Sequence, residues 1–288
     1  MYKFLFTTFL ATAFFWTIQQ SSGPGQLLSG EAVADVLLQL GDEPVSHYPD
    51  TTLKGVSVEA GRGIMLTGFA PAPDGGKTNK QSKHYVCTAC HNIKKEDPDL
   101  SVSDPQARLE YARDNGLPFL QGTALYGAVN RTSFYNGDYE QKYGSLVEPA
   151  RDDLREAIQL CATECSQGRA LEPWEMESVL AYLWTIGLKM DDLILSDEEK
   201  AQISQALNGK GNTVAAIQLI KSKYLSGSPA TFVAPPEDRK AGYEVGRYGT
   251  SPVPGSKPYM PNYTLEKLSH QQMEDLRAYI ELRAGYER

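Results

Sequence analysis

Cys87-Thr88-Ala89-Cys90-His91 is the stretch on which the reading of this 288-residue chain turns. Two thiols separated by two intervening residues, with an imidazole directly after the second, form the C-x-x-C-H arrangement that attaches haem covalently. One helical turn between the thiols lets both reach the porphyrin edge as thioethers, and the next side chain then projects beneath its centre towards the iron. Cys87 and Cys90 are therefore the expected attachment points, and His91 the expected first iron ligand. A redox dithiol or half of a zinc site competes for the same residues. Zinc needs further ligands at suitable spacing, and the other histidines, His47, His84 and His270, are scattered. One motif predicts one covalently bound haem c.

Covalent attachment of this kind demands export, and the start of the chain agrees. Lys3 precedes an apolar run from Phe4 to Ile18, followed by the polar Gln19, Gln20 and Ser21. Residues 1–20 thus read as a signal segment with a periplasmic destination. The run is short for a membrane span; with no A-x-A site near Ser22, an uncleaved segment would act as a membrane tether. An exported protein would ordinarily pair its four cysteines, at 87, 90, 161 and 165, as two disulfides. The C-x-x-C-H spacing assigns the first two elsewhere. The formal charge of -8, with no run of Lys or Arg, argues against nucleic acid and against an anionic membrane surface as partners. An acidic surface suits a basic redox partner.

Helical signals flank the motif. Val58 to Gly68 reads as a short helix stopped by glycine, before a Pro- and Gly-rich loop at 70–77. Trp174 to Gly187 carries Met176, Val179, Leu180, Leu183 and Trp184 on one apolar stripe. In cytochromes c an opening and a closing helix cross over the haem at a glycine and an aromatic, so Gly61 or Gly63 against Tyr182 is the expected crossing. Ser196 to Ser222 reads as two short helices, Ser196 capping the first and Gly209 to Gly211 dividing them, in a solvated spacer.

The tail echoes the closing helix. Leu171 to Leu183 and Leu268 to Ile280 share Leu, Met, Glu, Ala and Tyr at a constant offset of 97. The tail has no cysteine but keeps Tyr259-Met260-Pro261, of the type that supplies a sixth iron ligand; the offset carries Met260 back to position 163, between Cys161 and Cys165. The expected fold is mainly α: a cytochrome c-like haem domain over 55–190, a helical linker over 191–240, and a degenerate, haemless cytochrome-like unit over 241–288.

Ala150 to Gly187, with Leu154-Arg155-Glu156-Ala157-Ile158-Gln159-Leu160-Cys161 and Ser166 to Leu171, resembles the first haem domain of thiosulfate dehydrogenases. It is similar, more distantly, to haem domains of sulfur-oxidising cytochrome complexes. The loop from Gly122 to Gly127 extends the likeness to about residues 55–190. The resemblance implies that Cys161 ligates the iron opposite His91. Cys165 departs from the family, which has serine there, and it reads as a spare buried thiol, an alternative ligand, or a redox partner of Cys161. Tyr126, Phe134, Tyr135, Tyr139 and Tyr143 read as a haem wall, with Arg131 a partner for a haem propionate or a small anion. These readings converge on a periplasmic monohaem c-type cytochrome that passes electrons through a His/Cys-ligated haem to a redox partner, another cytochrome or a respiratory complex. Two others stay open: an oxidoreductase for a small sulfur anion such as thiosulfate, and a docking subunit of a respiratory complex.

Overall fold

In the computed structural model, residues 29–225 are described, apart from 103, 121, 136–138 and 140–142. The expected signal segment at 1–20 and the expected tail unit at 241–288, Met260 included, lie outside the described residues. The described part is mainly helical. Among the described residues, β structure is confined to the isolated bridges Ala32–Lys189 and Pro71–Lys77. No helix among them is long and apolar enough to cross a membrane.

Two helices frame the motif, and their ends are set by local chemistry. Helix α2 (Val58–Thr67) starts where the Ser57 side chain accepts from the Ala60 amide, and it stops at Gly68, whose φ of 78° is the left-handed cap that favours glycine. Helix α6 (Pro173–Thr185) begins with proline at its first turn and a Glu172–Glu175 capping box. Its apolar stripe buries Met176, Val179, Leu180 and Leu183 in a core shared with Ile64 and Met65 of α2. Leu180 and Leu183 are essentially inaccessible, and each such burial contributes about 2 kcal/mol.

The two helices cross at Gly61. A Cβ there would fall on the Ser178 carbonyl oxygen and crowd the Val179 nitrogen, so the backbones touch directly. This corrects the expected crossing in its detail. The residue facing Gly61 is Ser178 rather than Tyr182, and Gly63 abuts the Phe69 carbonyl in its own chain turn. A small residue is needed where backbones meet, and the bulky Tyr182, one turn further on, is buried in the common core instead. The Ser178 hydroxyl also accepts from the Ser57 amide at 3.2 Å, pinning the start of α2 to the crossing.

A second core lies beyond the end of α6. Helix α1 (Val33–Gln39) hangs on the chain that follows α6 through Val33 N–Leu188 O and Met190 N–Glu31 O, each 2.9 Å. Val33, Val36, Leu37 and Leu40 pack with Leu188, Met190 and Leu193, and with α7 (Asp197–Leu207) and α8 (Thr213–Ser222). Ser196 does cap α7, accepting from the Glu199 amide. The expectation of a solvated spacer does not hold for these helices, because Ile203, Ala216 and Ile220 are fully buried. Each of the two is amphipathic, and α1 supplies the apolar partner that covers them.

Helices α3 (Pro105–Asp114), α4 (Val147–Ala150) and α5 (Leu154–Leu160) complete the elements around the motif. Arg155 on α5 grips Glu177 on α6 with two bonds of 2.8 and 2.9 Å, and also donates to the Ser46 and Tyr48 carbonyls. Such a two-pronged, half-buried pair fixes orientation better than a solvated one.

Candidate haem-attachment and ligand site

Cys87–Ala89 forms a single 3-10 turn, closed by Cys90 N–Cys87 O at 3.2 Å and His91 N–Cys87 O at 3.1 Å. His91 Nδ1 lies 2.7 Å from the Thr123 carbonyl. A carbonyl oxygen only accepts, so Nδ1 carries the hydrogen and Nε2 keeps its lone pair, the form in which an imidazole binds a metal. Burial is the main influence on the ring and lowers its pKa, holding it neutral despite the opposing pull of the Thr123 bond.

The loop that holds His91 is anchored from below. Buried Glu96 accepts from the Ala124 amide at 2.5 Å and from Asn92 Nδ2 at 2.7 Å, and it pairs with Arg108 at 2.8 Å. Arg108 in turn donates to the Leu120 and Gly122 carbonyls, each at 2.7 Å. Gly122 N bonds Cys90 O at 2.8 Å, and a Cβ on Gly122 would strike the His91 ring. Only glycine lets this strand of chain pass against the imidazole. Arg131, expected to meet a propionate or an anion, is turned onto this same loop, donating to the Ala124 carbonyl at 2.7 Å.

Asp97 stands beside this network, within the charge fields of Arg108 and Arg131. Burial raises its carboxyl to about 6, with the two arginines pulling the other way. The folded protein therefore holds this proton to higher pH than the unfolded chain, and stability is withdrawn as pH climbs from about 4 to about 6. Asp97→Asn is expected to remove that slope, on the order of 2 kcal/mol across the window. Urea unfolding at stepped pH checks it: parallel curves for wild type and variant from about pH 4 to 6 would refute the assignment.

Cys161 and Cys165 occupy a π-helical turn, Cys161–Cys165, that follows α5 and closes with Ser166 N–Cys161 O at 2.9 Å. Such turns are rare and concentrate at functional sites. The chain just before the motif clamps this one. Gln81 Nε2 donates to the Ala162 and Arg169 carbonyls at 2.8 and 3.0 Å, its Oε1 accepts from Ser166 Oγ, and Ser82 Oγ donates to the Ser166 carbonyl at 2.6 Å. Gly168 is required here, since a Cβ would run into Gln81. Arg169 continues the brace by pairing in two-pronged fashion with fully buried Glu175 on α6.

The clamp brings the second cysteine pair to the first. The Cys161 thiol is raised well above its ordinary pKa, first by its hydrogen bond with Cys165, then by burial and by the charges of Cys165, Cys87 and Cys90. Burial pushes the Cys87 thiol up to about 11. All four cysteines are free thiols, and they do not gather with His91 into a cage that could hold a metal ion by itself. Neutral imidazole and cysteine sulfurs are donors that suit a porphyrin, which brings its own four equatorial nitrogens.

Other residues fall elsewhere. Met190 is buried in the second core among α1, α7 and α8. His47 is buried with Nε2 on the Val129 carbonyl at 2.6 Å, and His84 is exposed. Tyr126, expected in the haem wall, instead donates to Asp192 at 2.7 Å and braces the chain after α6. Tyr135, Tyr139 and Tyr143 do cluster, at centroid separations of 5.1 to 6.1 Å, and Tyr143 reaches Cys165. Gln81, Glu96 and Arg108 were not singled out in the sequence. Glu96 sits in the charged run Lys94 to Asp99, where nothing in the sequence marks it as buried. Set against protein-family models, curated proteins and solved structures, the chain matches none of them.

Proposed function

We propose that this chain is an exported monohaem c-type cytochrome that transfers electrons, its haem attached through Cys87 and Cys90 and its iron ligated by His91 and Cys161. The observation that carries this reading is the fixed tautomer of His91. The Thr123 carbonyl takes the Nδ1 hydrogen at 2.7 Å, leaving Nε2 as the free donor directly after the two attachment thiols. The nearness of Cys161 to Cys87 and Cys90, whose charges add to the rise of its thiol pKa, supports it as the second ligand. When bound, the haem supplies a one-electron couple, and a thiolate partner favours a low potential. The protein supplies the ligand geometry: Glu96 and Arg108 hold the His91 loop, and Gln81 holds the Cys161 turn. The close crossing of α2 and α6 at Gly61 supports a cytochrome c-like arrangement of the helical core. The acidic surface favours a basic redox protein as partner, with no nucleic acid involved.

Intact mass tests this directly. The chain, expressed with its leader in a host that matures c-type cytochromes, is expected to carry the mass of one haem that survives denaturation. Cys87→Ser and Cys90→Ser together should abolish it. A mature chain with no haem, or with two, would overturn the proposal.

A further inference from the structure

The chain carries a formal charge of -8, yet the stretch around the attachment motif has the opposite sign. Between Asp74 and Glu96 lie five lysines, at 77, 80, 83, 94 and 95, and no carboxylate. Two of the five are engaged. Lys77 Nζ stands 3.8 Å over the Phe69 ring, and Lys95 Nζ donates to the Asp192 carbonyl at 2.8 Å. Lys80, Lys83 and Lys94 are exposed, as is His84, and none of these three lysines enters an ion pair among the described residues.

Local structure holds the three at the attachment turn. The stem of Lys80 lies over Gly68 beside Val86, the residue that leads into Cys87: a Cβ on Gly68 would meet Lys80 Cγ at 3.1 Å and Val86 Cγ1 at 3.6 Å. Ser82 Oγ accepts from the His84 and Tyr85 amides at 3.1 and 3.3 Å, and the tight turn this makes leaves Lys83 and His84 outside. Beyond the motif, the Asn92–Glu96 and Lys95–Asp192 bonds pin the chain that presents Lys94. Lys83 stands four residues before Cys87 and Lys94 three after His91, so the chain keeps both within roughly 15 Å of the turn. Of the flanking acids, Glu96 is buried against Arg108 and Asp97 is half-buried, which leaves Asp74 exposed.

Charge at contact is a local matter. At physiological salt the screening length is about 8 Å, so groups elsewhere on the chain add little where two surfaces meet. A haem attached through Cys87 and Cys90 has its thioether edge at this turn, and electron transfer demands close approach to that edge.

We propose that the face around the Cys87–His91 turn is the docking surface for an acidic redox protein, with Lys80, Lys83 and Lys94 meeting carboxylates of the partner. The inference rests on the proposed haem attachment. The net charge favours a basic protein on the rest of the surface, and an electron carrier needs two partners, a donor and an acceptor. One electron crosses at this face, and no bond or proton moves. An acidic protein fits better than an anionic bilayer, because a broad charged plane also meets the acidic remainder of the chain.

The test compares two double variants that change the total charge equally. Lys83→Glu with Lys94→Glu reverses the sign of the face, and Lys54→Glu with Lys210→Glu places the same change before α2 and between α7 and α8. The first readout is retardation on immobilised poly-glutamate at about 0.1 M salt, and it does not depend on the haem. The wild type and the Lys54/Lys210 variant should be retarded and then released by added salt, and the Lys83/Lys94 variant should pass through. The second readout is oxidation of the ferrous protein by ferricyanide, which takes one electron from the iron and becomes ferrocyanide. From about 0.1 M upward the wild-type rate should fall as salt is added, the reverse of what a total charge of -8 dictates. The Lys83/Lys94 variant alone should react several-fold more slowly. Unretarded wild type, equal slowing of the two variants, or a wild-type rate that climbs with salt would overturn the proposal. So would capture of the wild type by phosphatidylglycerol vesicles that the Lys83/Lys94 variant loses, which would assign the face to lipid. Failure of the underlying reading shows separately, as a haem-free mass before any rate is measured.

Discussion

Under the proposed ligation, replacing Cys161 with methionine is expected to convert the iron from His/thiolate to His/thioether ligation and to raise its reduction potential. A neutral thioether stabilises ferric iron less than an anionic sulfur does. Axial ligands span about 0.8 V across haem proteins, and this exchange should account for a few tenths of that range. Redox titration and electron paramagnetic resonance follow the change. A Cys161→Met protein that keeps both the potential and the ferric signal of the wild type would remove Cys161 from the iron.

Gly61→Ala is expected to produce the largest loss of stability among single Gly→Ala changes at the described glycines. The new Cβ would sit on the Ser178 carbonyl, which is helix backbone and cannot swing aside as a side chain would. Separating α2 from α6 would open the core that holds Ile64, Met65, Leu180 and Leu183. Overpacking in such a place costs on the order of 3 kcal/mol or more, enough to lower Tm by roughly 10 °C in a domain of this size. Gly76→Ala makes the control, since its Cβ would approach only the Asp74 carboxylate at 3.4 Å, and a change within about 0.5 kcal/mol is expected there. Equal melting temperatures for the two variants would show that the helices do not meet where the structure places them.

The parts that periodicity governs were legible before any coordinates. Helix α2 announces itself by its stop glycine and α6 by its apolar stripe, and the structure places both within a residue or two of those signals. Helix α1 carries apolar residues at 33, 36, 37 and 40, the spacing of a helix face, but it follows a Gly- and Ser-rich stretch and is too short to stand out. Its partners α7 and α8 then looked solvated because their cover was not recognised. The C-x-x-C-H pattern stands out in the sequence because the chemistry proposed for it fixes its spacing. The supports were not. Gln81 and Glu96 act by satisfying backbone groups that are distant in sequence, and no local pattern marks a buried amide or carboxylate of that kind. The π-helical turn was equally hidden, since its extra residue appears only when the backbone bonds are traced.

The Gln81 clamp has a consequence for how the protein comes together. It joins residues 81 positions apart, a loop whose closure costs on the order of 4 kcal/mol before any contact is made. Closure is therefore unfavourable by itself, and it is offset because one buried side chain reaches two backbone carbonyls, those of Ala162 and Arg169. The nearness of the Cys161–Cys165 turn to the segment that leads into Cys87 is thus a product of long-range closure rather than of the local chain.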